Sequence, residues 1–342
     1  MEQSVASAAL PDGTSVAYAR AGTGPPLLFV GGWLSHLELS WATLPERSFL
    51  EALASGRTLV RYDRPGCGLS DRGSEAAWSL ERERDTLRAV TSAAVGGTSF
   101  DLMGSSLGVP IAIDWAARHP ERVNRLVLYG GWARGSDIAA PPVRQHVIGL
   151  VRSHWGLGSD VLTEIFAPEA SAATSASLAE YQRQASSAET AAELLAGCYD
   201  IDVTDRLHEV AVPTLVLHRE GDRAAPLAQS QLIASRIEGA RLVQLPGRSH
   251  LPFIGDVDAL VREIRSFFGL PVRRRTAAPT LTKRQAEVAR LVSHGLTNRE
   301  IAQQLGIDER SAEGHLERIR IRLGLRSRAQ VAAWWVASQE TK

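Results

Sequence analysis

Cysteine is scarce in this chain, with two residues, Cys67 and Cys198, among 342. Two thiols give no disulfide framework and no zinc site, and no motif asks for a metal or a cofactor. Long apolar runs are missing too. No stretch reaches eighteen apolar residues, which excludes a bilayer-spanning helix. The opening MEQSVASAAL has neither the basic start nor the apolar stretch of a secretory signal, so a reducing cytoplasm is the expected location. Net charge is also absent, since 38 Lys and Arg balance 38 Asp and Glu. The balance is uneven along the chain. Residues 276–342 hold eleven basic against seven acidic side chains, and Arg273, Arg274 and Arg275 raise that surplus to seven. A basic end on an acidic body suits a polyanion-binding module, although a solvated basic face has the same composition.

What is present divides the chain. Residues 1–270 alternate β-branched apolar runs with helical patterns. Strands are expected at Pro26–Gly32, Arg57–Asp63, Phe100–Ser105, Arg125–Gly131, Pro213–His218 and Arg241–Leu245, with helices such as Ser79–Ala94 and Val109–Arg118 between them. Continuous Val/Leu runs fit parallel strands covered on both faces, so the fold class is α/β, a doubly wound and mostly parallel sheet. About eighty residues between the fourth and fifth of these strands keep helical spacing and predict an inserted helical cap at about 134–208. Residues 271–280 (PVRRRTAAPT) read as a linker.

Residues 281–342 carry their own punctuation. Three S/T-x-x-E/Q boxes, Thr282/Gln285, Thr297/Glu300 and Ser327/Gln330, mark helix starts, and Asp308 is a fourth N-cap. Gly295, Gly306 and Gly324 stand at the stops. Ala286, Ala289, Leu291 and Val292 can line one face of the first helix, Ile301, Ala302 and Leu305 the second, and Ala312, Leu316, Ile319 and Leu323 the third. The short joint at Gly306–Asp308 gives helix-turn-helix spacing, a small all-α four-helix module able to place one helix in a DNA groove. A module serving only protein contacts would share this pattern.

In the larger segment, Gly104-Ser105-Ser106-Leu107-Gly108 is a G-x-S-x-G match. It follows an apolar strand and opens a helix, as a strained nucleophile elbow requires. An idle serine in a glycine-rich turn is the alternative. A serine hydroxyl attacks poorly without a base to take its proton and an acid to orient that base. Asp222 lies just past one late strand and His250 just past the next, in the chain order Ser, acid, His. Asp222 could instead cap the helix that follows, and Glu220 is a less well-placed substitute. Trp33, Trp132 and Trp155 suit an apolar ligand, although such residues more often serve simple packing.

On RYDRPGCGLSDR (Arg61–Arg72), the elbow and the ordered Asp222 and His250, residues 10–270 resemble the α/β-hydrolase superfamily. That resemblance implies Ser106 as nucleophile, His250 as general base, Asp222 as orienting acid, and an oxyanion hole from the backbone N–H groups of Trp33 and Leu107. Where many members have a His-Gly pair this chain has Gly31-Gly32. On LTNREIAQQL, EGHLERI and RLGLRSR, the last segment resembles the LuxR-type (GerE-like) helix-turn-helix. It implies double-stranded DNA as partner, with Thr297, Asn298, Arg299, Ser311 and His315 at phosphates and Glu313, Gly314 and Glu317 toward base edges. Affinity would lean on Arg299, Arg318, Arg320, Arg322, Arg326 and Arg328, since a carboxylate at 317 repels phosphate. One module reads half a site, so a homodimer is expected. The resulting expectation is a transcription regulator whose hydrolase-fold domain binds a small acyl or ester ligand, with turnover left open. The alternative is a working serine hydrolase whose tail binds DNA or dimerises.

Overall fold

A computed structural model describes residues 1–72, 78–272, 281–323 and 327–340; for residues 321, 322 and 336–340 it describes the backbone alone. From residue 273 onward the expected linker lies outside the described residues, as do Gly324 and Arg326. The chain divides into two compact units, Met1–Val272 and Arg273–Lys342.

The first unit is built on an eight-stranded sheet. Its strands are β1 (Gln3–Ala9), β2 (Ser15–Ala21), β3 (Pro26–Val30), β4 (Thr58–Tyr62), β5 (Phe100–Ser105), β6 (Val123–Tyr129), β7 (Thr214–Arg219) and β8 (Arg241–Leu245). The spatial order is β1-β2-β4-β3-β5-β6-β7-β8. Strands β3 to β8 pair in parallel, while β1 and β2 form an antiparallel edge. The helices of this unit are α1 (Leu37–Ala42), α2 (Leu44–Ala54), α3 (Leu80–Ala94), α4 (Gly108–Arg118), α5 (Pro141–Ser153), α6 (Trp155–Phe166), α7 (Ala172–Ala185), α8 (Ala188–Asp200), α9 (Leu227–Arg236) and α10 (Val257–Phe267). Helices α5 to α8 form the cap inserted between β6 and β7.

Strand residues alternate between two cores, as the two-residue period of a strand requires. Leu28, Val30, Leu102, Leu126, Leu128 and Val216 enter the core on one face. Leu27, Met103, Val127, Leu215 and Leu217 enter the other, under α2 and α10. The chain winds from β3 to β4 on one side and then to β5 on the other. That reversal opens a crevice beyond the carboxyl ends of β3 and β5, the usual place for a ligand in an open α/β sheet.

The second unit holds α11 (Lys283–Ser293), α12 (Asn298–Leu305), α13 (Glu309–Leu323) and α14 (Arg328–Glu340). Its core is Val288, Ala289, Leu291, Val292, Ile301, Ala302, Ala312, Leu316, Ile319 and Val331. Val288 takes the buried place expected of Ala286, which is only half-buried. Among the described residues no helix is long and apolar enough to cross a membrane.

Candidate active site and nucleic-acid interface

Ser106 sits between β5 and α4 with φ +56°, the one non-glycine residue with positive φ among those described. The neighbouring glycines make that turn possible. A Cβ on Gly104 would stand 2.4 Å from the Gly108 carbonyl oxygen, and one on Gly108 would stand 2.0 Å from that of Val30. Two main-chain bonds hold the turn, Ser106 N–H to the Tyr129 carbonyl (3.0 Å) and Val109 N–H to the Ser106 carbonyl (2.9 Å).

Residues 144 positions apart meet at this elbow. Ser106 Oγ lies 2.8 Å from His250 Nε2. On the other side of the ring, His250 Nδ1 lies 2.8 Å from Asp222 Oδ2. Asp222 also serves its own turn, because its Oδ1 accepts from the N–H groups of Ala224 (2.8 Å) and Ala225 (3.3 Å). One carboxylate thus does both jobs that the sequence left open. Burial opposes its ionisation, but the His250 charge and hydrogen bond, with the Ala224 N–H, outweigh this and hold its pKa below the ordinary carboxylate value. Glu220 is exposed and has no hydrogen bond to His250. The nearby His218 is fully buried between Ser230 Oγ (2.8 Å) and the Ala225 carbonyl (3.1 Å), and burial lowers its pKa.

Among the described residues, the N–H groups of Trp33 and Leu107 have no protein acceptor. Both residues are buried, and the glycine before Trp33 abuts Ser106: a Cβ on Gly32 would be 3.6 Å from the Ser106 Cβ. Orphan buried N–H groups are rare away from sites that need donors. The hydroxyl opens into a cavity with about 1020 Å³ of atom-free space, its mouth included, lined among others by Trp33, Phe166, Leu178, Phe253, Tyr181 and Glu46. Trp155 does not line it but packs edge-on against Trp33 (6.2 Å between rings), and Trp132 is a core residue.

In the second unit all three capping boxes close. Thr282 and Gln285, Thr297 and Glu300, and Ser327 and Gln330 exchange reciprocal bonds, and Asp308 caps α13 through the Ser311 N–H (2.7 Å). Gly306 ends α12 at φ +64°, a left-handed conformation that a Cβ would strain. Several expected DNA contacts are engaged within the module. Thr297 Oγ1 donates to Glu300 Oε2 (2.8 Å), Ser311 Oγ donates to Asp308 Oδ2 (2.7 Å), and Asn298 Oδ1 accepts from Arg328 (2.7 Å). Arg328 also donates to the Leu296 carbonyl. Arg299, Glu313, Glu317 and Arg318 are exposed, with Gly314 and His315 half-buried between them. The Arg318 guanidinium lies over Gly314 and reaches His315 Nδ1 (3.5 Å), while Glu317 pairs with Arg320 (2.9 Å). Burial and the charges of Arg318 and Arg284 lower the His315 pKa.

Residues 27–263 match the family model described as the alpha/beta hydrolase family. The chain belongs to that family. Residues 279–335 match a second model, bacterial regulatory proteins of the luxR family, so the same chain carries a LuxR-type DNA-binding domain. The hydrolase portion is 28% identical to a pyrrolizixenacetamide deacetylase from Xenorhabdus hominickii over 264 residues, which is 74% of this chain and 94% of that protein. It is 26% identical to a pimeloyl-[acyl-carrier protein] methyl ester esterase from Neisseria meningitidis, covering 64% of this chain and 74% of the esterase. Among solved structures, a hydrolase from Pseudomonas aeruginosa superposes with TM-score 0.67 at 25% identity, over 78% of this chain and 98% of that one.

Two arginines of the hydrolase domain escaped the sequence reading. Arg64 is buried, paired with Glu83 at 2.7 Å, and donates to the carbonyls of Gly31 (3.0 Å) and Gly32. It braces the loop whose usual histidine is missing. Its signal lay in the Arg61–Arg72 motif, which gave no direction for the side chain. Arg219 is also buried and donates to the carbonyls of Ser249 (3.2 Å), Leu251 (3.3 Å) and Ile254, gripping the loop that bears His250. The cap adds a third tether, His250 N–H to the Phe166 carbonyl at 2.7 Å.

Proposed function

We propose that this protein is a transcription regulator whose hydrolase domain binds a small acyl or ester-type ligand and cleaves it at Ser106. In this reading His250 Nε2 takes the Ser106 proton as Oγ attacks the ligand carbonyl. Asp222 holds the imidazole in the tautomer with hydrogen on Nδ1 and stabilises the imidazolium that forms. The N–H groups of Trp33 and Leu107 receive the negative oxygen of the tetrahedral intermediate. The proton returns from His250 to the leaving group, and water, activated by the same base, hydrolyses the acyl-serine. The observation that carries this reading is the pair of 2.8 Å bonds through one imidazole, set in a cavity beside two unused N–H donors.

The DNA-binding domain sets the biological role. Arg299 and Arg318 are assigned to phosphates, and the face of α13 with Glu313, Gly314 and Glu317 to base edges. Thr297, Asn298, Ser311 and His315 are assigned to the same backbone surface through their main chain or after exchange of their present partners. We further infer a homodimer on a two-fold site, acting in the cytoplasm where that DNA lies.

The test is an assay of short-chain p-nitrophenyl esters with the wild type and Ser106→Ala, alongside operator binding by both. Turnover by the wild type, lost in the variant while DNA binding persists, supports this function. Absence of turnover across the panel overturns cleavage, and ligand binding without it would make the domain a receptor.

A further inference from the structure

The catalytic cavity has a second chemical wall. Glu46, in the first turn of α2, lines it half-buried and has no hydrogen bond or ion pair among the described residues. Asp63, fully buried, lines it as well. Its Oδ2 accepts from the Leu37 (3.0 Å) and Leu69 (2.9 Å) N–H groups, and the Ser35 hydroxyl, which also lines the cavity, is a side-chain donor beside the carboxylate. Gln182, 6% exposed, spends its amide N–H groups on Ser159 and Thr163 of the cap, and its Oε1 is unpartnered among the described residues. The nearby Arg61 makes no hydrogen bond to these oxygens among the described residues, although its charge favours the ionised form of Glu46. Arg61 is directed to Ser40 Oγ (2.8 Å) and Gln3 Oε1 (2.7 Å), with its guanidinium stacked over Trp41. Against the carboxylates of Glu46 and Asp63 and the Gln182 carbonyl this wall sets the hydroxyls of Ser35 and Tyr181, so acceptor oxygens still exceed donors and the Glu46 carboxylate is the one a ligand donor can reach.

We propose that Glu46, backed by Asp63 and Gln182, forms a subsite for an amino group, so that the preferred ligand is an acyl compound carrying an amine away from its reactive carbonyl. The proposal rests on the reading of this cavity as a carbonyl-ligand pocket. An ammonium supplies the missing donors and a charge opposite to the Glu46 carboxylate. Burial pushes the Glu46 pKa up to about 7, with Arg61 opposing and Asp63 reinforcing the rise. Tyr181, which accepts from the His36 N–H, and His36 itself line the same region from the cap and the β3 loop. On its own helix Arg47 is turned away to Glu51. Glu46 accordingly gains its negative charge as pH rises through about 7, whereas a primary amine stays protonated up to about 10. Affinity for the amine-bearing ligand rises with pH across that interval.

The experiment uses full-length Ser106→Ala, so that no ligand is consumed, titrated calorimetrically with methyl 6-aminohexanoate, methyl hexanoate and monomethyl adipate. At pH 8 the amino ester is expected to bind about tenfold more tightly than the methyl-terminated ester, and the carboxylate most weakly. Adding Glu46→Gln should bring the ratio of the first two close to one. With Glu46 intact, the ratio should shrink at least threefold at pH 6. Equal or tighter binding of methyl hexanoate, or a ratio unmoved by pH and by Glu46→Gln, overturns the subsite alone. Failure of all three to bind overturns the carbonyl-pocket reading, and the subsite with it.

Discussion

Ser106 keeps a left-handed backbone because its glycine neighbours let three chain segments approach within contact distance. Gly108 is the tightest of these points, since an added Cβ would meet the Val30 and Gly31 carbonyl oxygens at 2.0 and 2.8 Å. Both obstacles are main chain and cannot rotate aside. Gly108→Ala should therefore destabilise the hydrolase domain by about 2–3 kcal/mol, measured by urea unfolding. Gly97→Ala is the matched control, because nothing lies within 4 Å of its added Cβ. An unchanged midpoint for Gly108→Ala would mean that β3 and the elbow are not packed as described. Ser106, Asp222 and His250 were readable beforehand because each stands just past a strand end in a fixed chain order. Glu46 was not, for it stands in an ordinary helix turn and takes its meaning from β4 and the cap.

The helix starts of the second unit were open to sequence reading because a capping box is local, fixed by residues three apart. That locality also separates two kinds of side chain in α12. Thr297 serves the cap, whereas Arg299 is exposed and makes no side-chain hydrogen bond or ion pair among the described residues. Thr297→Ala should lower the stability of the DNA-binding domain by about 1 kcal/mol, seen as an earlier thermal transition. Arg299→Ala should leave that transition in place and reduce the salt dependence of DNA binding by about one unit of slope. Should Arg299→Ala leave the salt slope unchanged, Arg299 is no phosphate contact. The edge hairpin shows the opposite case. Strands β1 and β2 are rich in Ala and Ser, and β1 is mostly exposed, so their hydrophobic pattern is faint. The turn between them, Pro11-Asp12-Gly13, was a usable signal. Partnership with β4, which joins this hairpin to the main sheet, is a long-range pairing.

The hydrophobic clusters of the two units share no residue: those of the first end by Leu270, and that of the second begins at Leu281. A protein ending at Val272 should accordingly stay soluble and unfold in one cooperative thermal transition, checked by calorimetry. Aggregation of that fragment would show that its core needs the rest of the chain. The division itself was legible in the sequence, because composition, charge and helix punctuation change together near residue 280. So were the α/β class, the inserted cap and the placing of Ser106, Asp222 and His250 just past strand ends. These follow from periodicity and local stereochemistry, which neighbouring residues set by themselves. Tertiary structure alone decided the rest: that one imidazole spans Ser106 and Asp222, that Arg64 and Arg219 hold the loops around it, and that Glu46 faces the same cavity. Each of those depends on where a side chain from a distant segment ends, and close packing of the whole domain fixes that direction.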